Sequence, residues 1–566
     1  MAGSAGENLG AYQKAIDRAL GELDAADVVA RVWAIDYRVW SPDPTEIANR
    51  LGWLQSPVNM RSAVPELRAF VDEARQAGCR RAVLMGMGGS SLAPDLYRQT
   101  FGPVRGYPIL SVLDSTDPGA VLGLADDLEM AETLFIVSSK SGTTVEPLSL
   151  MTFFHNRLMR TFGAATAGEH FVAITDPGSL LARQAKELGF RRCFLNDPNI
   201  GGRYSALSYF GLVAAALVGM DLEKLLDRAG DMARRCRRPC AAGPSSNPGF
   251  WLGVVMGELA KAGRDKVTVL TSPPLAAFGA WLEQLIAEST GKNGTGILPV
   301  EGELPVKPAA YGGDRLFAYL RLRGDSTHDA SVRALVEAGQ PVVRLDLRDP
   351  YDLGAEFVRW EIATAVASQR LGIKPFDQPN VESAKKAARA AVEGYKATRR
   401  LPALVADVED EGVTVYWGRR AASVAEALSA FLKQARQGDY VALQAYLPPC
   451  EETTAALQGL RIAIRDRLKT ATTLGYGPRF LHSTGQLHKG DGNQGLFIQI
   501  TADAPRDAEI PDDPGEGASS MTFGVLEMAQ ALGDRQALLD AGRRVIRFHI
   551  AGDVASALAK LTAAVQ

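Results

Sequence analysis

Four segments in the first third of the chain repeat one pattern, in which a short apolar run ends in small polar residues and an amphipathic segment follows. The runs RAVLMG, YPILSVL, TLFIVSS and HFVAIT begin at positions 81, 107, 133 and 170. Strands that alternate with helices favour a parallel sheet with helices on both faces. The pattern therefore predicts an α/β fold.

The pattern returns later in the chain, so we expect more than one α/β domain. The 566 residues are too many for a single core, and apolar runs at 266–271, 316–322 and 341–347 predict a second parallel sheet. We predict a helical N-terminal segment (1–62), two tandem αβα sandwiches with parallel sheets (63–220 and 221–400) and a smaller C-terminal α/β domain (401–566), in which the acidic loop 503–520 is exposed.

Composition excludes several classes of partner. The formal net charge is −3, which gives no overall attraction to nucleic acid or anionic membrane. The five cysteines are an odd, scattered set, which suits a reducing compartment. Cys236 and Cys240 have no neighbouring histidine or second cysteine pair, so zinc is not expected. The chain has no apolar run of membrane-spanning length and no signal-peptide core, and we predict a cytoplasmic protein.

Hydroxyl side chains follow the third apolar run. Ligands bind at the carboxyl ends of parallel strands, where backbone N–H groups and the next helix favour an anion. A glycine at position 142 permits a tight turn there. An ordinary serine- and threonine-rich helix cap would look similar. The loop predicts a phosphate site made by the hydroxyls of Ser139, Ser141, Thr143 and Thr144 and the charge of Lys140.

A second loop, GMGGSS at 86–91, ends another predicted strand. Its glycines let a ligand approach the backbone closely. Its spacing fits neither the dinucleotide fingerprint nor the Walker loop. The two loops together favour a small phosphorylated metabolite over a nucleotide.

Several motifs resemble the phosphoglucose isomerase family and occur in that family's order between about 80 and 390. They are GMGGSS, SSKSGTTVEP, GGRYSALS, QLIAESTGK and PFDQPNVESAKK. Other stretches, such as WSPDPTEIANRLGWL, resemble the isomerase half of bacterial proteins that fuse transaldolase to glucose-6-phosphate isomerase. The resemblance implies two sugar-isomerase sandwiches. It also implies interconversion of glucose 6-phosphate and fructose 6-phosphate through an enediol, with no metal or redox cofactor.

The resemblance also implies roles for individual residues. Glu288 would move the proton between C1 and C2, Arg203 would stabilise the enediolate, and Lys385 would assist ring opening. The phosphate would be held by Ser139, Lys140, Ser141 and Thr144, and the sugar would contact Gly89, Ser90, Gln284 and Gln378.

The histidine that opens the sugar ring has three candidates. His328 lies between Glu288 and Lys385 in the sequence, at a predicted strand-to-helix turn, and is favoured by that order. His482 and His488 are the rivals, and either would make the C-terminal domain part of the pocket.

Two alternative functions and two protein partners remain open. A related isomerase could also accept mannose 6-phosphate, and a sugar-phosphate-binding regulator could keep the phosphate loops without catalysis. The joint presence of Glu288, Arg203 and Lys385 argues against the regulator. The resemblance implies a homodimer whose histidine crosses from the partner, and a separate transaldolase is a further possible partner.

Overall fold

The chain folds around three β-sheets and a small hairpin. The structure, a computed structural model, describes residues 6–566, apart from the side chains at positions 6, 7 and 165. The strands are β1 (Gly6–Asn8), β2 (Arg81–Gly86), β3 (Ile109–Leu113), β4 (Thr133–Ser138), β5 (Phe171–Thr175), β6 (Arg192–Leu195), β7 (Lys266–Thr271), β8 (Leu298–Val300), β9 (Arg315–Leu322), β10 (Val342–Leu347), β11 (Val408–Asp410), β12 (Val413–Tyr416), β13 (Tyr440–Tyr446), β14 (Ala471–Tyr476), β15 (Gly495–Ala502), β16 (Glu509–Pro511), β17 (Ser519–Thr522) and β18 (Arg544–Ile550).

Helices precede, connect and cover the strands. They are α1 (Gln13–Ala25), α2 (Val28–Trp33), α3 (Ser56–Asn59), α4 (Val64–Gln76), α5 (Leu92–Phe101), α6 (Pro118–Asp127), α7 (Val145–Phe162), α8 (Ala164–Ala167), α9 (Leu180–Glu187), α10 (Tyr209–Leu217), α11 (Leu222–Arg235), α12 (Pro248–Lys261), α13 (Phe278–Thr290), α14 (Asp329–Glu337), α15 (Leu353–Leu371), α16 (Val381–Thr398), α17 (Val424–Leu432), α18 (Glu451–Leu468), α19 (Gly485–Gly490), α20 (Phe523–Asp540) and α21 (Val554–Val565). In the described part of the chain, every helix is too short or too polar to span a bilayer.

The first sheet is parallel throughout, in the order β3-β2-β4-β5-β6. Both of its faces are buried, because successive residues of a strand join different apolar clusters: Leu134 and Ile136 of β4 lie in one cluster, and Phe135 and Val137 lie in another. On the second face, Phe135 stacks on Phe154 of α7 with ring centroids 4.8 Å apart. This arrangement explains why β4 reads as a continuous apolar run.

The second sheet has the order β1-β10-β9-β7-β8. The strands β7 to β10 are parallel, and β1 pairs with β10 in the antiparallel direction. The N-terminal segment is largely helical, as expected, but Gly6–Asn8 is an edge strand of this sheet. The sequence GEN carries no apolar pattern that would reveal the strand.

The third sheet has the order β11-β12-β18-β15-β13-β14. The four strands β18, β15, β13 and β14 are parallel, and β12 lies antiparallel to β18. The stretch expected to be an exposed loop contains the hairpin β16–β17. Ile510 in this hairpin is buried in the same apolar cluster as Phe523, and the backbone N–H of Gly515 donates to Asn156 of α7 (2.6 Å). These contacts order a stretch whose composition is polar and rich in proline and glycine.

The third sheet is fastened to the other two by α16 and α20. Gly533 of α20 lies against the backbone of α16, close to Ala384 and Ala388. The buried guanidinium of Arg461 in α18 donates to the carbonyl of Glu301, which follows β8 (2.7 Å). The segment from Arg479 to Gly490 lies against α13, where Ser483 donates to Glu283, and against the loop after β3, where Arg479 pairs with Asp114.

We expect Gly533→Ala to separate α16 from α20. A Cβ atom at position 533 would lie 2.6 Å from the backbone nitrogen of Ala388, so the two helices must move apart, at a cost of about 1–3 kcal/mol. The measurement is the urea midpoint of unfolding. Gly459→Ala in α18 is the matched control, because a Cβ atom there has open space. Equal midpoints for the two variants would contradict the expectation.

Candidate active site

Two polar loops meet at the carboxyl edge of the first sheet. One follows β2 and the other follows β4, and these strands are neighbours. A cavity of about 330 Å³ opens beside the second loop. Its lining includes the side chains of Ser141, Thr143, Thr144, Glu146, Lys385, His482, Lys489 and Gln530.

The loop after β4 is preorganised by its own hydroxyl groups. The Oγ atom of Ser139 and the Oγ1 atom of Thr144 are 3.0 Å apart, and the N–H of Thr143 donates to the Oγ atom of Ser141 (3.2 Å). Gly142 has a φ of +67°, which a glycine adopts without strain. Lys140 forms an ion pair with Asp176, so its charge is shared within the protein.

The carboxylate of Glu288 is held on α13 beside Gln284. The amide Nε2 of Gln284 donates to the Oε2 atom of Glu288 (3.1 Å) and to the backbone carbonyl of His482 (2.8 Å). Gly88 makes this arrangement possible, because a Cβ atom at position 88 would lie 2.7 Å from the Gln284 amide. Spacing of four residues on a helix brings Gln284 and Glu288 to one face, as predicted.

The guanidinium of Arg203 joins three segments of the site. It is 4% exposed. Its Nη1 atom lies 3.3 Å from the Oε1 atom of Glu288 and donates to the Oε1 atom of Gln378 (3.1 Å). Its Nε atom donates to the hydroxyl of Ser289 (2.9 Å), and its Nη2 atom donates to the carbonyls of the segment 375–377. The structure thus brings Arg203, Gln284, Glu288 and Gln378 together.

The remaining predicted substrate contacts lie around this cluster. The carbonyl of Gly89 accepts a hydrogen bond from Ser205 (3.2 Å), and Ser90 is buried. Lys385 lies on an exposed face of α16, pairs with Glu382 (2.9 Å) and lines the cavity.

Lys292 is a residue of this cluster to which sequence reasoning gave no role. Its buried ammonium donates to the Oδ1 atom of Asp377 (2.8 Å). Burial, together with the neighbouring charge of Arg203, lowers the pKa of Lys292 to about 8. Its position at the end of the motif QLIAESTGK was the available signal.

His482 is the histidine that reaches the loop after β4. Its Nε2 atom lies 3.0 Å from the Oε1 atom of Glu146, which also accepts from the Nε2 atom of Gln530 (2.7 Å). Burial favours a raised pKa for Glu146, but the charge and hydrogen bond of His482 and the charge of Lys385 outweigh it, so the pKa lies below its usual range. Sequence reasoning gave no role to Glu146 or Gln530, although Glu146 lies within the quoted motif SSKSGTTVEP.

The other two candidate histidines lie elsewhere. His328 precedes α14, and its ring meets Tyr319 edge-on with centroids 6.3 Å apart; within residues 6–566, it has no hydrogen bond or ion pair to the other site residues. His488 is 2% exposed and packs against Phe497. Burial lowers the pKa of His488 well below its usual value, so this ring is a neutral core residue.

Comparison with known proteins places this arrangement in a family. The family described as "Phosphoglucose isomerase" matches residues 60–297. A glucose-6-phosphate isomerase of Rubrobacter xylanophilus is 30% identical over 376 residues, which are 58% of this chain and 86% of that relative. The chain belongs to the phosphoglucose isomerase family. The resemblance that the five motifs indicated is confirmed.

Two solved structures support the fold. A hypothetical protein from Thermus thermophilus matches with a TM-score of 0.57 and 25% identity, over 68% of this chain and 99% of that one. A glucose-6-phosphate isomerase from Chlamydia trachomatis matches with a TM-score of 0.57 and 18% identity, over 68% and 86% of the two chains. The predicted α/β fold with tandem parallel sheets is confirmed. The phosphoglucose isomerase family match ends at residue 297, so Gln378, Lys385 and His482 lie beyond it.

A buried carboxyl group lies next to Gln284 on α13. Glu283 precedes Gln284 on α13 and accepts a hydrogen bond from the hydroxyl of Ser483 (3.0 Å). Burial and the neighbouring carboxylate of Glu301 raise the pKa of Glu283 to about 8. Between its ordinary pKa of 4.5 and about 8, the folded protein keeps a proton that the unfolded chain has lost. The contribution of Glu283 to stability therefore falls as the pH rises through this window.

We expect the stability of the Glu283→Gln variant, relative to the wild type, to increase as the pH rises. Relative to the wild type, its free energy of unfolding should increase by about 1–3 kcal/mol between pH 6 and pH 9, because the variant has no proton to lose at this position. Urea unfolding at the two pH values measures the change. Glu187→Gln, at an exposed position of α9, is the control. A difference between wild type and Glu283→Gln that is the same at both pH values would contradict the expectation.

Proposed function

We propose that this protein interconverts glucose 6-phosphate and fructose 6-phosphate through an enediolate intermediate. One observation carries the proposal: the Glu288 carboxylate, paired with Arg203, is connected through Gln284 and His482 to Glu146 at the phosphate loop. An isomerase needs an anion anchor, a ring-opening acid and base, a proton-transfer base and a cation for the intermediate. The proposed residues supply each of these groups.

The phosphate binds the loop after β4. The hydroxyls of Ser139, Ser141 and Thr144 donate hydrogen bonds to its oxygens, and the N–H groups at the start of α7 favour its negative charge. Lys140 adds a positive charge that it shares with Asp176. Gly89 and Ser90 contact the sugar on the neighbouring loop.

Glu288 transfers the proton between C1 and C2 in the open-chain sugar. Its two oxygens are oriented by different partners, Gln284 on Oε2 and Arg203 on Oε1. As the enediolate forms, the Arg203 guanidinium stabilises its negative charge, a contribution on the order of 2.7–4 kcal/mol for one such donor. Gln378 and Lys292 keep the segment around Asp377 beside this cation.

His482 opens and closes the sugar ring. We favour His482 over His328, which sequence order favoured, because the His482 ring contacts the Glu146 carboxylate and both residues line the cavity. The carboxylate of Glu146 orients the imidazole, as a third group orients the base in other acid–base pairs. Lys385 lines the same cavity and assists at the ring oxygen.

Since Glu288 and His482 belong to one chain, the homodimer expected from the family is not required to complete the pocket. That homodimer, a separate transaldolase and a cytoplasmic location stay predictions.

We expect Glu288→Gln to remove most of the turnover while fructose 6-phosphate still binds. The amide keeps the size of the side chain but cannot accept the proton, and loss of a general base costs about 10²–10⁴-fold in kcat. Conversion of fructose 6-phosphate to glucose 6-phosphate and calorimetric binding are the two measurements. Glu337→Gln, at an exposed position of α14, is the control. A wild-type protein that binds fructose 6-phosphate without converting it would instead be a regulator.

We expect His482→Ala to lower kcat by about 10²–10⁴-fold, whereas His328→Ala retains the wild-type rate. The reason is that His482 contacts Glu146 and lines the cavity, and His328 contacts Tyr319 instead. Steady-state turnover of both variants measures this. If His328→Ala loses turnover and His482→Ala retains it, His328 is the ring-opening histidine, as sequence order suggested.

A further inference from the structure

The carboxylate of Glu146 has a second hydrogen-bond partner besides His482. Its Oε1 atom accepts from His482 Nε2 at 3.0 Å and from Gln530 Nε2 at 2.7 Å. The Oε1 atom of Gln530 in turn accepts from the hydroxyl of Thr116 at 2.9 Å. Glu146, Gln530 and Thr116 are 3%, 4% and 0% exposed, so water competes little for these bonds.

The chemistry of these groups fixes which atom donates and which accepts in this series of hydrogen bonds. An ionised carboxylate can only accept hydrogen bonds, so it faces the NH₂ group of Gln530 and leaves the amide oxygen for the Thr116 hydroxyl. For the same reason the Nε2 atom of His482 carries a hydrogen. The Nδ1 atom is then the ring nitrogen that can take up a proton.

We propose that Gln530, anchored by Thr116, is a positioning residue that fixes Glu146 and thereby sets the orientation and tautomer of His482 for ring opening. This inference rests on the proposed isomerase function. Gln530 lies on α20 of the third sheet's layer, and Thr116 lies in the loop after β3 of the first sheet. The C-terminal part of the chain therefore supplies both the histidine and the group that orders its carboxylate.

Several charged or titratable groups face Glu146 from the surrounding elements. They are His482, Lys385 on α16 and Tyr446 on β13. Lys489 on α19 lines the same cavity, but its ammonium pairs with the carboxylate of Asp534 on α20. The charge of Lys385 favours the ionised carboxylate of Glu146, and so does the hydrogen bond from Gln530. Loss of that bond should therefore raise the pH at which Glu146 takes up a proton.

The first test compares Gln530→Met with Gln536→Met, which lies on the exposed side of the same helix. We expect Gln530→Met to lower kcat about tenfold with KM changed by less than about threefold, and to move the acidic limb of the kcat–pH profile to higher pH. Gln536→Met should match the wild type. A changed KM with an unchanged kcat, or identical behaviour of the two variants, would overturn the inference.

The second test uses Gln530→Glu and separates positioning from packing. A protonated carboxyl at position 530 can donate to Glu146 and accept from Thr116, whereas two carboxylates at this distance repel. Turnover should therefore approach the wild-type rate near pH 6 and fall toward pH 8, opposite to the trend in Gln530→Met. A parallel pH trend in the two variants would mean that position 530 serves packing alone.

Thr116→Val removes the anchor without changing α20. We expect a smaller loss of kcat in the same direction as Gln530→Met, and urea unfolding checks that each variant is folded. If the wild type turns over and Glu288→Gln does not, while the Gln530 and Thr116 variants are all normal, the positioning inference fails and the isomerase function stands. If the wild type lacks turnover, the isomerase function itself fails.

Discussion

The buried guanidinium of Arg203 is the interaction on which the site depends. A charge with 4% exposure is stable only when its donors are paired. Those partners come from α13 and from the turn before α16, which are far apart in the sequence. The hydrogen bonds to this one cation therefore bring α13 and the turn before α16 together. The same contacts leave Nη1 beside Glu288, where the proposed intermediate develops its charge.

The C-terminal part of the chain is integral to the pocket. Arg461 ties α18 to the segment after β8, and Gly533 lets α20 lie directly on α16. The segment 479–490 lies against α13, where Ser483 donates to Glu283. His482 then contacts both halves of the site, since its backbone carbonyl accepts from Gln284 and its ring bonds Glu146.

Local sequence patterns predicted those strands, loops and helix faces that depend on residues close together in the sequence. The apolar runs ending in glycine or hydroxyl residues located β2, β4 and the loops after them, and the four-residue spacing of Gln284 and Glu288 placed both on one helix face. The contact between His482 and Glu146 spans 336 residues, so it depends on how three sheets dock. Sequence order therefore favoured His328. The hairpin at 509–522 was missed because its polar composition hid the buried contacts of Ile510.

The position of His482 in the chain has a consequence for biosynthesis. Residues 1–400 emerge from the ribosome before any part of the third sheet, and domains generally fold as units in that order. A nascent chain with the first two sheets formed already displays the phosphate loop and Glu288, yet it lacks the histidine proposed to open the ring. Such an intermediate could bind a sugar phosphate before it could process the cyclic form. The last third of translation would thus decide when a binding protein becomes an enzyme.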